Sequence, residues 1–505
     1  MSASADPASS ASGALGGLAP ARVWRHFATL CEIPRASKGE SRLREHLLQW
    51  ARAQGLEARV DGAGNLLLRK PASAGRERAP AVVLQAHLDM VCQKNADSAH
   101  DFARDPIVPA RRDGWLVAEE TTLGADNGIG VALILAALED PDLVHGPLEA
   151  LLTVDEESGM SGAKGLEPGE LRATRMLNLD TEQWGEFYLG CAGGLDVNAE
   201  RKCAPQPLPP EHRVWRIALR GLRGGHSGSD IHEDRGNAIK LLVRVLCALE
   251  RRAPLRLAAL RGGTARNALP REAFADVALA PAAAAGLDEF LAAQQALLRA
   301  ELRGIDEGLT LSAAPMPELP LLPPEEQRVW LASLHAAPYG VRRMSRQVEG
   351  VVETSNNLGV VEIDARGGRC NFMVRSLRDE GSRELAEEIA SLFSLSATRV
   401  GVEGQYPGWE PNPGSALLAL CRAVFRRDFE AESAVKVIHA GLECGIIGAK
   451  YPGMDIVSFG PTIRGAHAPG ESLEIASVER CWRLLRAILE QCAQPPAGGN
   501  GARAS

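Results

Sequence analysis

Aromatic residues are scarce in this chain, at 4% of the total. Its core must therefore be built from Ala, Leu, Val and Ile. No stretch reaches the roughly 18 consecutive apolar residues that cross a bilayer. The best candidate, Ile129 to Leu138, is about half that length. The N-terminal MSASADPASSASGALGGLAP lacks a basic n-region and a continuous apolar h-region, so it does not read as a signal peptide. No long Lys/Arg run occurs, and 64 acids outnumber 56 bases for a formal net charge of -8. That balance argues against nucleic acid as the main partner, and the lack of a spanning run argues against a membrane. The ten cysteines are scattered from Cys31 to Cys492 without a C-x-x-C pair. A disulfide framework is excluded, and a reducing, cytoplasmic setting is expected.

What is present is ordinary for a globular protein: 505 residues, 45% hydrophobic and 24% charged. At roughly 150 residues per domain, the length suggests about two to four domains. Residues 1–19 and the tail 494–505 are Ser/Ala/Gly- or Pro/Gly-rich and are expected to be disordered. Between them strand and helix signals alternate. Ser37 and Glu40 have the spacing of a capping box and should open an amphipathic helix to about Gln54. Ala81–Ala86, Leu148–Val154 and Met176–Leu179 read as buried parallel strands, with a helix over Asn127–Leu138. This rhythm implies an α/β fold, a mixed sheet flanked by helices. Beyond Leu195 the pattern changes to an α+β insertion, with strands at Val214–Leu219, Ala273–Leu279 and Val360–Asp364. Whether the insertion is one domain or two similar halves stays open. The expected organisation is a catalytic domain in two parts, 20–195 and 409–493, interrupted by an inserted domain at 196–408.

Five segments place His, Asp or Glu where an apolar strand ends, and ligand sites in α/β sheets sit at such ends. In Gln85-Ala-His87-Leu-Asp89, His87 and Asp89 point the same way, because side chains in a strand repeat every two residues. Asp126 precedes a Gly-flanked helix start, and alone it would read as an N-cap. Asp155, Glu156 and Glu157 are consecutive, and such carboxylates need solvent or a cation to compensate them. Asp180 ends the fourth segment, and His467 lies in a Gly/Pro-bounded loop in the fifth. Each has a bland reading taken singly: a solvated strand end, a cap or a surface loop. Together they form a nitrogen/oxygen ligand set suited to Zn2+, Mn2+ or Co2+. The carboxylates are too many for one four-coordinate zinc, which points to two metals. Asp126, Glu157 and Asp180 nearly balance two divalent cations, leaving Glu156 as a general base.

The strings LQAHLDMVCQKN, TTLGADNGIGVALILAALED, TVDEESGMSGAKGL, NLDTEQWGEFYLGCAGG, RGLRGGHSGSDIHEDRGNAIKLL, HAGLECGI and GPTIRGAHAPGESLEI resemble the aminoacyl-histidine dipeptidases. These are co-catalytic zinc peptidases related to aminoacylase and the glutamate carboxypeptidases. The resemblance runs from about Pro34 to Leu484. It implies that His87 and Asp180 hold one metal, Glu157 and His467 the other, and that Asp126 bridges both. It further implies a cis peptide at Asp126-Asn127, Asp89 as the acid orienting His87, and Glu156 as general base. In the inserted domain, a lid, His226 would reach the substrate carbonyl, and Asn267 and Arg375 would bind substrate, Arg375 by its terminal carboxylate. His439 and Glu443, four residues apart in HAGLECG, are open between substrate contact and packing. Two departures stand out: Ala86 replaces a residue often Gly, and the acids Asp230, Glu233 and Asp234 could alter substrate preference.

The activity so implied is hydrolysis of dipeptides with a free N-terminus, Xaa-His dipeptides such as β-alanyl-histidine. Two divalent metals, Zn2+ with Co2+ or Mn2+ as alternatives, would acidify a water whose proton Glu156 takes. His226 would stabilise the oxyanion after lid closure. A homodimer is implied. The alternatives are an N-acyl amino acid deacylase, an aminopeptidase or carboxypeptidase of the same chemistry, and a non-catalytic peptide- or metal-binding protein.

Overall fold

The computed structural model describes residues 13–494. Of the terminal segments expected to be disordered, 1–12 and 495–505 lie outside the described residues. Residues 13–19 are not free chain. Leu15 is buried, and the Arg111 guanidinium donates to the carbonyls of Ala14 and Gly16. The described chain forms two compact units. One runs to Leu189, takes up Asn412–Lys436 and resumes from Ile446; the other comprises Gly190–Pro411 and Val437–Gly445. The second unit is thus longer at both ends than the insertion expected at 196–408. It also reclaims 437–445, the stretch that carries His439 and Glu443.

The first unit is built on an eight-stranded mixed sheet. Its strand order is Glu57–Val60, Leu66–Lys70, Leu148–Thr153, Val82–His87, Arg175–Asn178, Asp455–Ser458, Glu186–Cys191, Ala434–Ile438. Val82–His87 pairs in parallel with both neighbours and is buried throughout. A strand covered on both faces has no polar alternation to keep, hence the mostly apolar run, in which Gln85 is buried too. The helix Ala125–Glu139 packs against this strand. Its positions from Asn127 to Leu138 are all buried, so it has no polar stripe. Gly130 permits its close approach: a Cβ there would strike the Leu179 carbonyl and the Asn127 side chain.

The second unit is built on an antiparallel sheet of nine strands, beside a two-stranded pair Gly225–His226 and Ala268–Leu269. Its topology answers the question the sequence left open. One half runs strand Arg213–Arg220, helix Ala238–Arg252, strands Leu255–Gly262 and Ala273–Leu279, helix Leu287–Glu301, strand Thr310–Met316. The other runs strand Gly193–Lys202, helix Pro324–Ala336, strands Val352–Asp364 and Gly367–Ser376, helix Asp379–Ser394, strand Arg399–Tyr406. Numbered within each half, both sheets have the order 4-1-3-2. The first half is inserted after the first strand of the second, and the halves join antiparallel through their second strands, Leu260↔Ile363 to Gly262↔Val361. One continuous core, including Leu246, Leu257, Trp330, Phe372 and Phe393, runs beneath both.

The helix expected after Ser37-Lys-Gly-Glu40 spans Ser41–Ala53, but no capping box closes it. Ser37 Oγ donates to Asp89 Oδ2 at 2.7 Å, and Glu40 Oε1 accepts the Asp155 N–H at 2.8 Å. Both side chains serve the strand ends described next.

Candidate functional site

Three neighbouring parallel strands, Leu148–Thr153, Val82–His87 and Arg175–Asn178, finish side by side in the first unit. His87 ends the central strand; Asp155 to Glu157 and Asp180 follow the flanking ones. Residues far apart in the chain meet here because parallel strands place their carboxyl ends on one edge. Asp455–Ser458 pairs parallel to Arg175–Asn178 and leads into the loop bearing His467. Asp126 enters at the head of the helix Ala125–Glu139, and the Asp126–Asn127 peptide is cis. Asp155 and His467 hold left-handed φ of 55° and 67°, conformations that non-glycine residues seldom keep without strong local constraint.

The side chains converge around Asp126. Its Oδ1 lies 3.1 Å from His87 Nε2, and its Oδ2 lies 3.0 Å from His467 Nε2. Asp180 Oδ1 is 3.3 Å from His87 Nε2, and Glu157 Oε1 is 3.1 Å from His467 Nε2. One carboxylate therefore divides its two oxygens between two imidazoles, and each imidazole has a further acid beside it. Among the described residues no lysine or arginine pairs with Asp126, Glu157 or Asp180. Atoms bound to a common zinc at about 2.0–2.2 Å lie roughly 3–3.5 Å from one another. The spacing and the oxygen/nitrogen donor set both fit divalent cations.

Electrostatics points the same way. Burial works against a charge on His87, yet Asp180, Asp126 and Asp89 raise its pKa well above the usual 6.5. Contacts with Asp126 and Glu157 push His467 up to about 11. Burial opposes ionisation of Asp126, but its bonds to His467 and His87 hold it below the ordinary carboxylate range. Asp180 is raised to about 6 by burial and, despite His87, by the charges of Asp126 and Glu157. Without metal the cluster gathers protons; it is a place that calls for positive charge.

Asp89 is fully buried. Its Oδ1 lies 3.4 Å from His87 Nδ1. The same carboxylate accepts the backbone N–H groups of Glu156 and Glu157 at 3.0 and 3.1 Å. Burial would raise its pKa, but the bonds from His87, Ser37 and Glu156 bring it to about 2. The three successive acids are not left facing one another: the Asp155 carboxylate accepts from Ser158 and Ser161.

The other expected residues fall in the second unit. His226 Nδ1 accepts the N–H groups of Gly228 and Ser229 at 3.2 and 3.1 Å, which leaves the ring proton of the neutral form to Nε2. His226 Nε2 lies 3.4 Å from Arg375 Nη2. Arg375 is buried; it donates to Tyr406 OH at 3.1 Å and to Ser227 Oγ at 3.4 Å. Among the described residues no carboxylate pairs with it. A buried guanidinium without a counter-charge is suited to pairing with an anion. Asn267 is exposed, and its carbonyl accepts the Ser227 N–H at 2.8 Å. His439 is buried with Nε2 2.8 Å from Ser355 Oγ; burial and then the Arg375 charge push it down to about 3, so it stays neutral. Glu443 is fully buried at the head of the helix Glu443–Lys450. Gly228 lets the cluster close, since a Cβ there would meet the His439 carbonyl and Arg375. Asp230 and Glu233, read as modifiers of substrate preference, have local work: Asp230 accepts the His226 N–H at 2.8 Å, and Arg235 pairs with both acids.

Sequence reasoning missed several supporting residues. Arg35 is buried and donates to the Leu88 and Asp89 carbonyls at 3.0 and 2.9 Å, and to Gly124. Tyr406 braces Arg375. Glu471, 2% exposed, accepts backbone N–H groups from the loop before Asp126. None has a local spacing signal; their partners lie tens to hundreds of positions away.

The sequence profile described as Peptidase family M20/M25/M40 matches residues 83–491. Over 478 residues the chain is 43% identical to the cytosol non-specific dipeptidase of Escherichia coli (strain K12), covering 94% of this chain and 99% of that protein. The crystal structure of aminoacylhistidine dipeptidase from Vibrio alginolyticus superposes with a TM-score of 0.84 at 43% identity, over 94% of this chain and 97% of that one. Aminopeptidase PepT from Bacillus cereus, 17% identical with a TM-score of 0.56 over 95% of this chain and all of that one, shares the fold.

Proposed function

Because the chain belongs to peptidase family M20/M25/M40, we propose that it hydrolyses dipeptides with a free N-terminus, Xaa-His dipeptides such as β-alanyl-histidine foremost. The observation that carries this reading is the shared carboxylate: Asp126 faces His87 with one oxygen and His467 with the other, at 3.1 and 3.0 Å. In this assignment His87 and Asp180 hold one divalent cation, Glu157 and His467 a second, with Zn2+ first in preference and Asp126 common to both. Cations bound there supply Lewis acidity and lower the pKa of a water towards neutrality.

The chain's own groups do the rest. Glu156 takes a proton from the attacking water and delivers it to the leaving amine. Its backbone is held by Asp89, which also orients His87. His226 offers Nε2–H to the carbonyl oxygen as negative charge builds there. Arg375 receives the terminal carboxylate, which selects dipeptides over internal peptide bonds. Asn267, His439 and Glu443 complete the substrate contacts. Nucleic acid and membrane have no part, and no helix among the described residues is long and apolar enough to cross a membrane. We expect a cytoplasmic homodimer, which sedimentation equilibrium tests.

The deciding experiment is amine release from β-alanyl-histidine by metal-loaded and chelated protein, beside other dipeptides, tripeptides and N-acetyl amino acids. Faster turnover of N-acetyl amino acids would make it a deacylase. Substrate binding without amine release under any of Zn2+, Co2+ or Mn2+ would make it a non-catalytic binder.

A further inference from the structure

The loop that carries His467 also carries Glu471, four residues on. Glu471 does not point at the imidazole cluster. Its Oε2 accepts the N–H groups of Leu123 and Gly124 at 2.8 and 3.0 Å, and its Oε1 those of Ala125 and Asp126 at 2.8 and 3.3 Å. Four successive amides thus converge on one buried carboxylate. The segment they belong to delivers the Asp126 side chain and contains Gly124, whose φ is +67°. From the other side, Arg35 donates to the Gly124 carbonyl and to the Leu88 and Asp89 carbonyls. The Asp126 loop is therefore clasped by Glu471 through its amides and by Arg35 through a carbonyl.

We propose that Glu471 is the positioning residue of the shared carboxylate and couples the two cation positions. The proposal rests on the metal-site reading above. A loop bearing only His467 would supply one imidazole to one cation. By stapling residues 123–126 to the same loop, Glu471 fixes Asp126 relative to His467, so any shift of one ligand drags the other. Position 471 requires a carboxylate, because every donor facing it is an N–H. In Glu471→Gln one end of the side chain becomes an NH2 aimed at two N–H groups, and at least two amides lose their acceptor. In Glu471→Asp the acceptors survive on a stem one methylene shorter.

The test is a Co2+ titration of wild type, Glu471→Gln and Glu471→Asp, following bound metal per chain and the visible ligand-field spectrum, with circular dichroism of each metal-free protein as the control for folding. Loss of such an outer support typically weakens metal affinity by about 10–100-fold. Glu471→Gln should show that weakening with a changed Co2+ spectrum, and Glu471→Asp should recover part of both. A Glu471→Gln protein that binds two Co2+ within about twofold of wild-type affinity and with the same spectrum would overturn the proposal, even if it melts lower. If Glu471→Gln does not fold, Glu471→Asp decides by the same two readouts: a wild-type spectrum and affinity count against the proposal, altered ones support it. Wild-type protein that takes up no Co2+ would instead overturn the metal-site reading itself.

Discussion

Glu156 and Glu157 follow the same strand, their amides 3.0 and 3.1 Å from one Asp89 carboxylate, yet Glu157 is the one placed 3.1 Å from His467 Nε2. The pair can thus divide the labour, one ligand and one base. Glu156→Ala should retain bound metal while turnover falls by about 10²–10⁴-fold; metal analysis beside steady-state rates checks this, and near-normal turnover would refute the base assignment. His226→Ala should lower kcat by about 10²–10³-fold if Nε2–H meets the developing oxyanion. If Arg375 receives the terminal carboxylate as proposed, Arg375→Ala should cost about 2 kcal/mol or more in kcat/KM for dipeptides. The same variant should lose its preference for a free carboxylate over the C-terminal amide. The pH dependence of metal uptake has a definite sign. In the metal-free chain His467 is pushed up to about 11 and His87 well above 6.5, so both carry protons at neutral pH. An incoming cation must displace them, so affinity rises with pH and falls in acid, where Asp180, at about 6, also takes a proton. Calorimetric titrations in buffers of different ionisation enthalpy should report proton release on metal binding.

Elements decided less by their own propensities than by what they cover. The helix Ala125–Glu139 is legible as a helix from its Ala/Leu/Ile content, and its total burial follows from lying against Val82–His87. Leu133, fully buried there, should cost about 2–5 kcal/mol when cut to Ala. Chemical denaturation would measure that loss, and the Co2+ spectrum of the folded variant should stay as in wild type. The apparent capping box shows the reverse case. Ser37 and Glu40 have the right local spacing, but a buried aspartate and a strand-end amide offered partners in a drier place, where a hydrogen bond counts for more. The helix Ser41–Ala53 begins without them.

In the molecule as a whole, cations held by the proposed ligands would link binding to folding of the first unit, since those residues come from four strand ends and a helix head. Chelation should lower the melting temperature and re-addition of Zn2+, Co2+ or Mn2+ should restore it; a melting curve indifferent to both would count against a structural debt to metal. By itself the chain's order of residues carried the α/β class, the central strands of the first unit's sheet, and the residue types of the candidate site, because period-2 and period-3.6 apolar patterns are local and His, Asp and Glu are rare at buried strand ends. It left open whether the second unit holds two similar halves, a likeness that lies in strand order and not in side chains. Tertiary structure alone decided which oxygen faces which imidazole, that Arg375 is buried without a carboxylate, and that Glu471 gathers four amides from 345 or more positions away. Such partnerships depend on which strands lie side by side, and that follows from the burial of the whole sheet, not from any spacing along the chain.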